Sequence, residues 1–166
     1  MGETPRPVVL GVVRGQPEEV LRTASGLAAR LGAELICATV NPARFVVSES
    51  ADGHVTSAPI DPDFHDAHDD ELDPELAERL ASALDAVGVR WSTRLLAGDP
   101  ADALARLART VDAELIVVGT HGPGRGVHDL FNRSVAIHLA HRQPRPVVVV
   151  PAVPPGTEPV PAGSPS

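Results

Sequence analysis

AELIVVGTHGPGRGVHDLFNRS, residues Ala113 to Ser134, is the stretch from which the rest of the chain can be read. Its continuous apolar run, Leu115-Ile116-Val117-Val118, has the length and β-branched content of a strand buried on both faces. Gly119, Gly122, Gly124 and Gly126 follow within eight residues. A buried strand that breaks into such a loop ahead of a helix is a common phosphate cradle. Glycine lets backbone N–H groups approach an anion, and the helix start adds unpaired N–H groups and a partial positive charge. A tight turn demands glycine as well, so the loop reads either as an anion site or as a plain turn.

Working outward, Pro7 to Val13 is a second apolar run and reads as the first buried strand. Pro17 with Glu18 and Glu19 suits a helix start, Val20, Leu21, Ala24, Leu27, Ala28 and Leu31 recur at helical spacing, and Gly32 is a natural stop. Residues 33–40 give the next strand. Asp73-Pro74 and Asp99-Pro100 each pair a cap with a proline at the first helical position. The first opens a helix striped by Leu76, Leu80, Ala83, Leu84 and Val87 and stopped by Gly88. The second opens one striped by Leu104, Leu107, Ala108 and Val111. Residues 89–97 form the strand between them, Ser134–His141 the last helix, and Val147–Val150, bracketed by prolines, the last strand.

Five strands separated mostly by helices imply an α/β fold with a parallel, doubly wound sheet. Ligands of such sheets bind beyond the carboxyl ends of the strands, where strand order reverses. With the order 3-2-1-4-5 the Val13–Gln16 turn faces the Gly119 loop. Residues 41–72 depart from the rhythm as an irregular acidic insertion. Within them Phe45-Val46-Val47 and His54-Val55-Thr56 flank Asp52-Gly53, the signal of a small hairpin or a structured loop. Asp61–Glu75, with His65 and His68, reads as a solvated acidic loop rather than a metal site, because it offers few apolar residues to bury supporting partners. Residues 152–166 read as a disordered proline-rich tail, leaving 1–151 as a single domain.

The formal net charge of −8 argues against a nucleic-acid or membrane-surface binder. Three Phe, one Trp and no Tyr leave little to stack on bases. No apolar run approaches the roughly eighteen residues of a membrane span, and the polar start MGETPRP is unlike a secretory leader, so a cytoplasmic protein is expected. Cys37 is the only cysteine and sits between Ile36 and Ala38 as a small core residue.

Taken in order, the early β-α-β unit, Ala97-Gly98-Asp99-Pro100, the strand into Gly119-Thr120-His121-Gly122, and Ser134-Val135 followed by Pro146 and a valine strand resemble the universal stress protein family. The resemblance runs from about Pro7 to Pro151. It implies a five-stranded sandwich of the adenine-nucleotide alpha-hydrolase type and a homodimer pairing through Val147–Val150. It also implies an ATP site formed by a residue just after the first strand, by the glycine loop, and by a glycine with a following Ser or Thr. Residue by residue these positions are Val13; Gly119, Thr120, Gly122, Gly124 and Gly126; and Arg133, Ser134 and Val135. Two of them depart from the family pattern. Where the family has an aspartate that contacts adenine the chain has Val13, whose side chain cannot accept a hydrogen bond, and where it has the last glycine the chain has Arg133, which fills the phosphate site or grips a phosphate bidentately.

Two functions follow: a regulatory protein with a nucleotide or anion pocket between the first and fourth strands, or a degenerate, non-ATP-binding member acting as an interaction module. A phosphate-loop NTPase is disfavoured, because no Gly-Lys-Ser/Thr follows the loop and all fourteen basic residues are Arg. His121, His128, His138, His141 and Asp129 lie near the loop in sequence, but no catalytic arrangement is legible. No enzyme and no resident metal are expected.

Overall fold

The computed structural model describes residues 2–63, 70–120 and 127–151, and within 127–133 the backbone only. β1 (Val8–Gly11) lies at the centre of the sheet, with Val8, Val9 and Leu10 fully buried. Alternation sends Val8, Leu10 and Val12 into one core layer, with α1 (Glu18–Leu31) and α2 (Pro74–Val87). Val9 goes to the opposite layer, with α3 (Pro100–Thr110) and α4 (Val127–Arg142).

β2 (Leu35–Asn41) and β5 (Trp91–Ala97) extend the sheet on one side of β1, and β6 (Leu115–Gly119) and β7 (Val147–Val150) on the other. All pairs are parallel and the order is β5-β2-β1-β6-β7, which in chain order of these strands is the expected 3-2-1-4-5. Val8 stands opposite Leu35 on one side and Leu115 on the other, so the carboxyl ends of β1 and β6 lie side by side where the winding reverses.

The helix starts form as the sequence dictates. Asp73 Oδ1 accepts from the Glu75 and Leu76 N–H groups at 2.9 and 3.2 Å, and Asp99 Oδ1 from Asp102 N–H at 3.1 Å. Such caps contribute about 1 kcal/mol each. α4 departs from the reading: it begins at Val127 rather than Ser134. Val127, Leu130 and Phe131 carry the spacing of Val135 and Leu139 backwards, and neither Gly nor Pro interrupts 127–142. Conversely β1 ends at Gly11, two residues short of Val13, as the chain turns away; only the Val12 N–H still reaches Ala38 O, at 2.8 Å.

Within 41–72, β3 (Arg44–Glu49) and β4 (Val55–Pro59) form an antiparallel hairpin that is irregular between Val46 and Ser48. It packs against β5 and α3. Gly53 at its turn has φ 86°, and a Cβ there would stand 2.4 Å from Leu107 Cδ1, so both backbone and space require glycine. Arg94 Nε of β5, itself buried, donates to Asp52 O at 2.9 Å. The Ser50 hydroxyl, then the His54 N–H and ring, hold the Asp52 carboxyl below the usual carboxylate range. Buried Arg44 donates to Ser57 Oγ and Ser57 O, both at 2.8 Å, and pairs with Asp70 at 2.7 Å. That ion pair fastens the hairpin to the segment leading into α2.

His65 and His68 lie outside the described residues, as do 152–166. Among the described residues no cluster of His, Cys, Asp or Glu is placed to hold a metal, and no helix is long and apolar enough to cross a membrane.

Candidate functional site

The crevice where β1 and β6 end is built from two short segments. On the β1 side the chain reverses through Val13–Gln16, the Gln16 N–H donating to Val13 O at 3.2 Å. The reversal brings the Gln16 side chain back over the strand end, where Nε2 donates to Gly11 O at 3.0 Å. Gln16 is only 7% exposed although it is polar and precedes a helix.

On the β6 side, Gly119 permits the close approach. A Cβ there would lie 2.9 Å from Val20 Cγ2 of α1 and 3.6 Å from Gln16 Nε2, so an added side chain would force Val20 to shift. The first glycine of the loop is therefore favoured by packing whatever the loop binds. Thr120 N–H donates to Val150 O at 3.1 Å and carries the pairing with β7 one residue past the strand.

α2 ties the β1 turn from outside. Arg14 pairs with Asp73, the N-cap of α2, and Arg79 of α2 donates to Gln16 O. Gln16 is thus held at its N–H, its carbonyl and its side chain at once. α1 starts beside it without a side-chain cap on Pro17 but with Glu18 and Glu19 in its first turn. Those carboxylates already complement the helix dipole, so a phosphate is disfavoured on that side of the crevice. The helix start that directly follows the glycine loop is that of α4, at Val127.

The structure brings Val13, half-buried, and Gly119 and Thr120 to the two walls of the crevice. Gly122, Gly124 and Gly126 lie outside the described residues. Arg133 and Ser134 stand in the second turn of α4, so their N–H groups belong to the helix ladder and are not among its free first four. Ser134 is exposed, and Val135, 6% exposed, is a core residue of the α3–α4 layer. Sequence reasoning missed Gln16 as an individual residue, together with Arg79. The available signal was a polar, uncharged side chain between an apolar strand and a helix-starting proline, but its partner on α2 is distant in sequence.

The sequence profile of the universal stress protein family matches residues 6–151. No curated protein matches the chain. Among solved structures, a universal stress protein from Archaeoglobus fulgidus aligns with TM-score 0.62 at 22% identity, over 87% of this chain and 98% of that one. A universal stress protein from the same organism in complex with dAMP aligns with TM-score 0.62 at 21% identity, over 87% and 97%. A universal stress protein in complex with cAMP aligns with TM-score 0.58 at 25% identity, over 89% of this chain and 98% of that one. With its sheet order, its crevice and a profile match over 6–151 of 166 residues, the chain belongs to the universal stress protein family.

Proposed function

We propose that this chain is a universal-stress-type regulatory protein whose crevice between β1 and β6 takes a nucleotide, ATP being the first candidate, or another anionic ligand. In this reading it is cytoplasmic, acts without catalysis of its own, and forms a homodimer through β7. The observation that carries the pocket is the meeting of the Val13–Gln16 turn with Gly119 across a buried carboxamide at the sheet's switch point. The dAMP and cAMP complexes of the similar proteins favour a nucleotide as the anion. For the dimer, Val149 on the sheet's outer strand is 41% exposed and Ile137 of α4 54% exposed, apolar surface of the kind a second copy would cover.

A second reading, an interaction module without ATP, is favoured by Val13. Its side chain offers no acceptor and its carbonyl already serves the turn. Native and then denaturing mass spectrometry of the purified protein, followed by calorimetric titration with ATP, ADP and AMP, separates the two. A co-purifying nucleotide or a clear isotherm is expected; a ligand-free protein with flat titrations would replace the pocket with the interaction module.

Val13→Asp is expected to tighten ATP binding by roughly tenfold, the worth of one charge-assisted hydrogen bond. Combining it with Arg133→Gly should add to the gain if the guanidinium fills the phosphate site. Because Arg133 stands inside α4, that glycine also weakens the helix by about 1 kcal/mol. Val13→Asp alone is therefore the cleaner titration, and no gain from it would mean that the missing acceptor is not what limits binding.

A further inference from the structure

We propose that Gln16 reads the ligand in this crevice, its amide oxygen accepting a hydrogen bond from an N–H or O–H donor on the bound nucleotide. This rests on the reading of the crevice as a nucleotide pocket.

The orientation of the carboxamide follows from chemistry. Only its nitrogen can donate to a carbonyl, so the 3.0 Å bond to Gly11 O places Nε2 on the strand end and leaves Oε1 as the outward atom. No hydrogen bond reaches Oε1 from any described residue, although the residue as a whole is 93% buried, being 7% exposed. The acceptor is therefore unused by the β1 turn, α1 and α2, the described elements that hold the rest of the residue.

A buried side chain with an acceptor that no described residue uses is a poor core element and a good contact. Its position is fixed by the bond from its N–H to Val13 O and by Arg79, which donates to its carbonyl, so little ordering remains to be done on binding. The side chain stands beside Gly119, between the two strand ends that define the switch point. An acceptor there repels phosphate and selects a donor. The donors a nucleotide offers away from its phosphates are an amino group on the base and the hydroxyls of the ribose. The same acceptor turns away a purine that presents a carbonyl in place of the amino group.

The test is calorimetric titration of the full chain with ATP, ITP and 2′- and 3′-deoxy-ATP, for the natural protein and for Gln16→Met, which keeps the shape and removes the amide. Binding that favours ATP over one of the analogues by roughly tenfold is expected, with that preference falling to about one in Gln16→Met. Loss of the ATP-over-ITP preference identifies the donor as the base amino group; loss of a preference against a deoxy analogue identifies a ribose hydroxyl. Gln16→Asn, which withdraws the oxygen by one methylene, should lower the same preference and serves where the Met variant does not fold. Tight ATP binding with analogue preferences unchanged in both variants would overturn the role of Gln16 and leave the pocket standing. Flat titrations of every nucleotide with the natural protein would overturn the pocket, and this role with it.

Discussion

At the β5 margin of the sheet the chain lays the β3–β4 hairpin beside α3, with Gly53 against Leu107 and Val111 and the Arg94 guanidinium on Asp52 O. At the β7 margin no described residue does the same, and Val149 is left 41% exposed on the outermost strand. Both margins end in a strand with an unpaired side, so each needs an answer to the same hazard of uncontrolled pairing. At one margin the answer is an insertion folded in cis, held by buried polar contacts from Arg44 and Arg94. At the other a run of valines is available for a second copy, which the proposed dimer would use. The acidic insertion is on this view a structural cover, separate from the crevice between β1 and β6.

Gly53→Val should break the covered margin and has the largest expected effect. It adds a side chain at φ 86°, where β-branched residues are strained, and drives a Cβ to within 2.4 Å of Leu107 Cδ1. Positive-φ strain and overpacking each cost of order 1–3 kcal/mol, so a loss of roughly 2–6 kcal/mol in urea unfolding is expected. A loss below about 0.5 kcal/mol, the range of ordinary surface changes, would mean that the hairpin is not seated on α3.

Val149→Lys addresses the bare margin. A lysine on an outer strand blocks strand addition, whereas at a position already 41% exposed it should change the stability of the monomer by no more than about 0.5 kcal/mol. Light scattering after size exclusion is expected to give a dimer mass for the natural protein and a monomer mass for the variant. An unchanged dimer in Val149→Lys would move the interface away from β7.

How far these features were legible in the sequence depends on the range of the forces behind them. The β6 strand, the starts of α2 and α3 and the hairpin turn were readable because Leu115–Val118, Asp73-Pro74, Asp99-Pro100 and Asp52-Gly53 each act within a few residues, whereas strand order joins segments far apart in the chain and no one of these signals determines it. The start of α4 was misplaced because the glycines drew the loop boundary forward, although Val127, Leu130 and Phe131 already carried helical spacing. The irregularity between Val46 and Ser48 was hidden, since a local pattern says nothing of the register across a hairpin. In the crevice, Val13 and Gly119 were readable by position. The hold on Gln16 was not, because it depends on Arg79, and Arg14–Asp73 likewise joins residues far apart in the chain.

Cys37 offers the finest comparison of the two margins, because it lies on β2 opposite Thr93 of β5, next to the covered edge and away from β7. Burial pushes its thiol up to about 12, against about 8.5 for an unfolded cysteine. The folded state therefore binds the thiol proton more tightly. That contribution is fully present below about pH 8.5 and is lost as the pH rises from there towards 12, at about 1.4 kcal/mol per unit once the unfolded thiol is ionised. At pH 8 the effect on stability is small, and reaction with a disulfide reagent should proceed only as fast as the β2–β5 region opens. In Gly53→Val labelling should quicken in proportion to the lost stability, while in Val149→Lys it should match the natural protein. Equal acceleration in both variants would show that the two margins open together and that the hairpin does not guard β5 in particular.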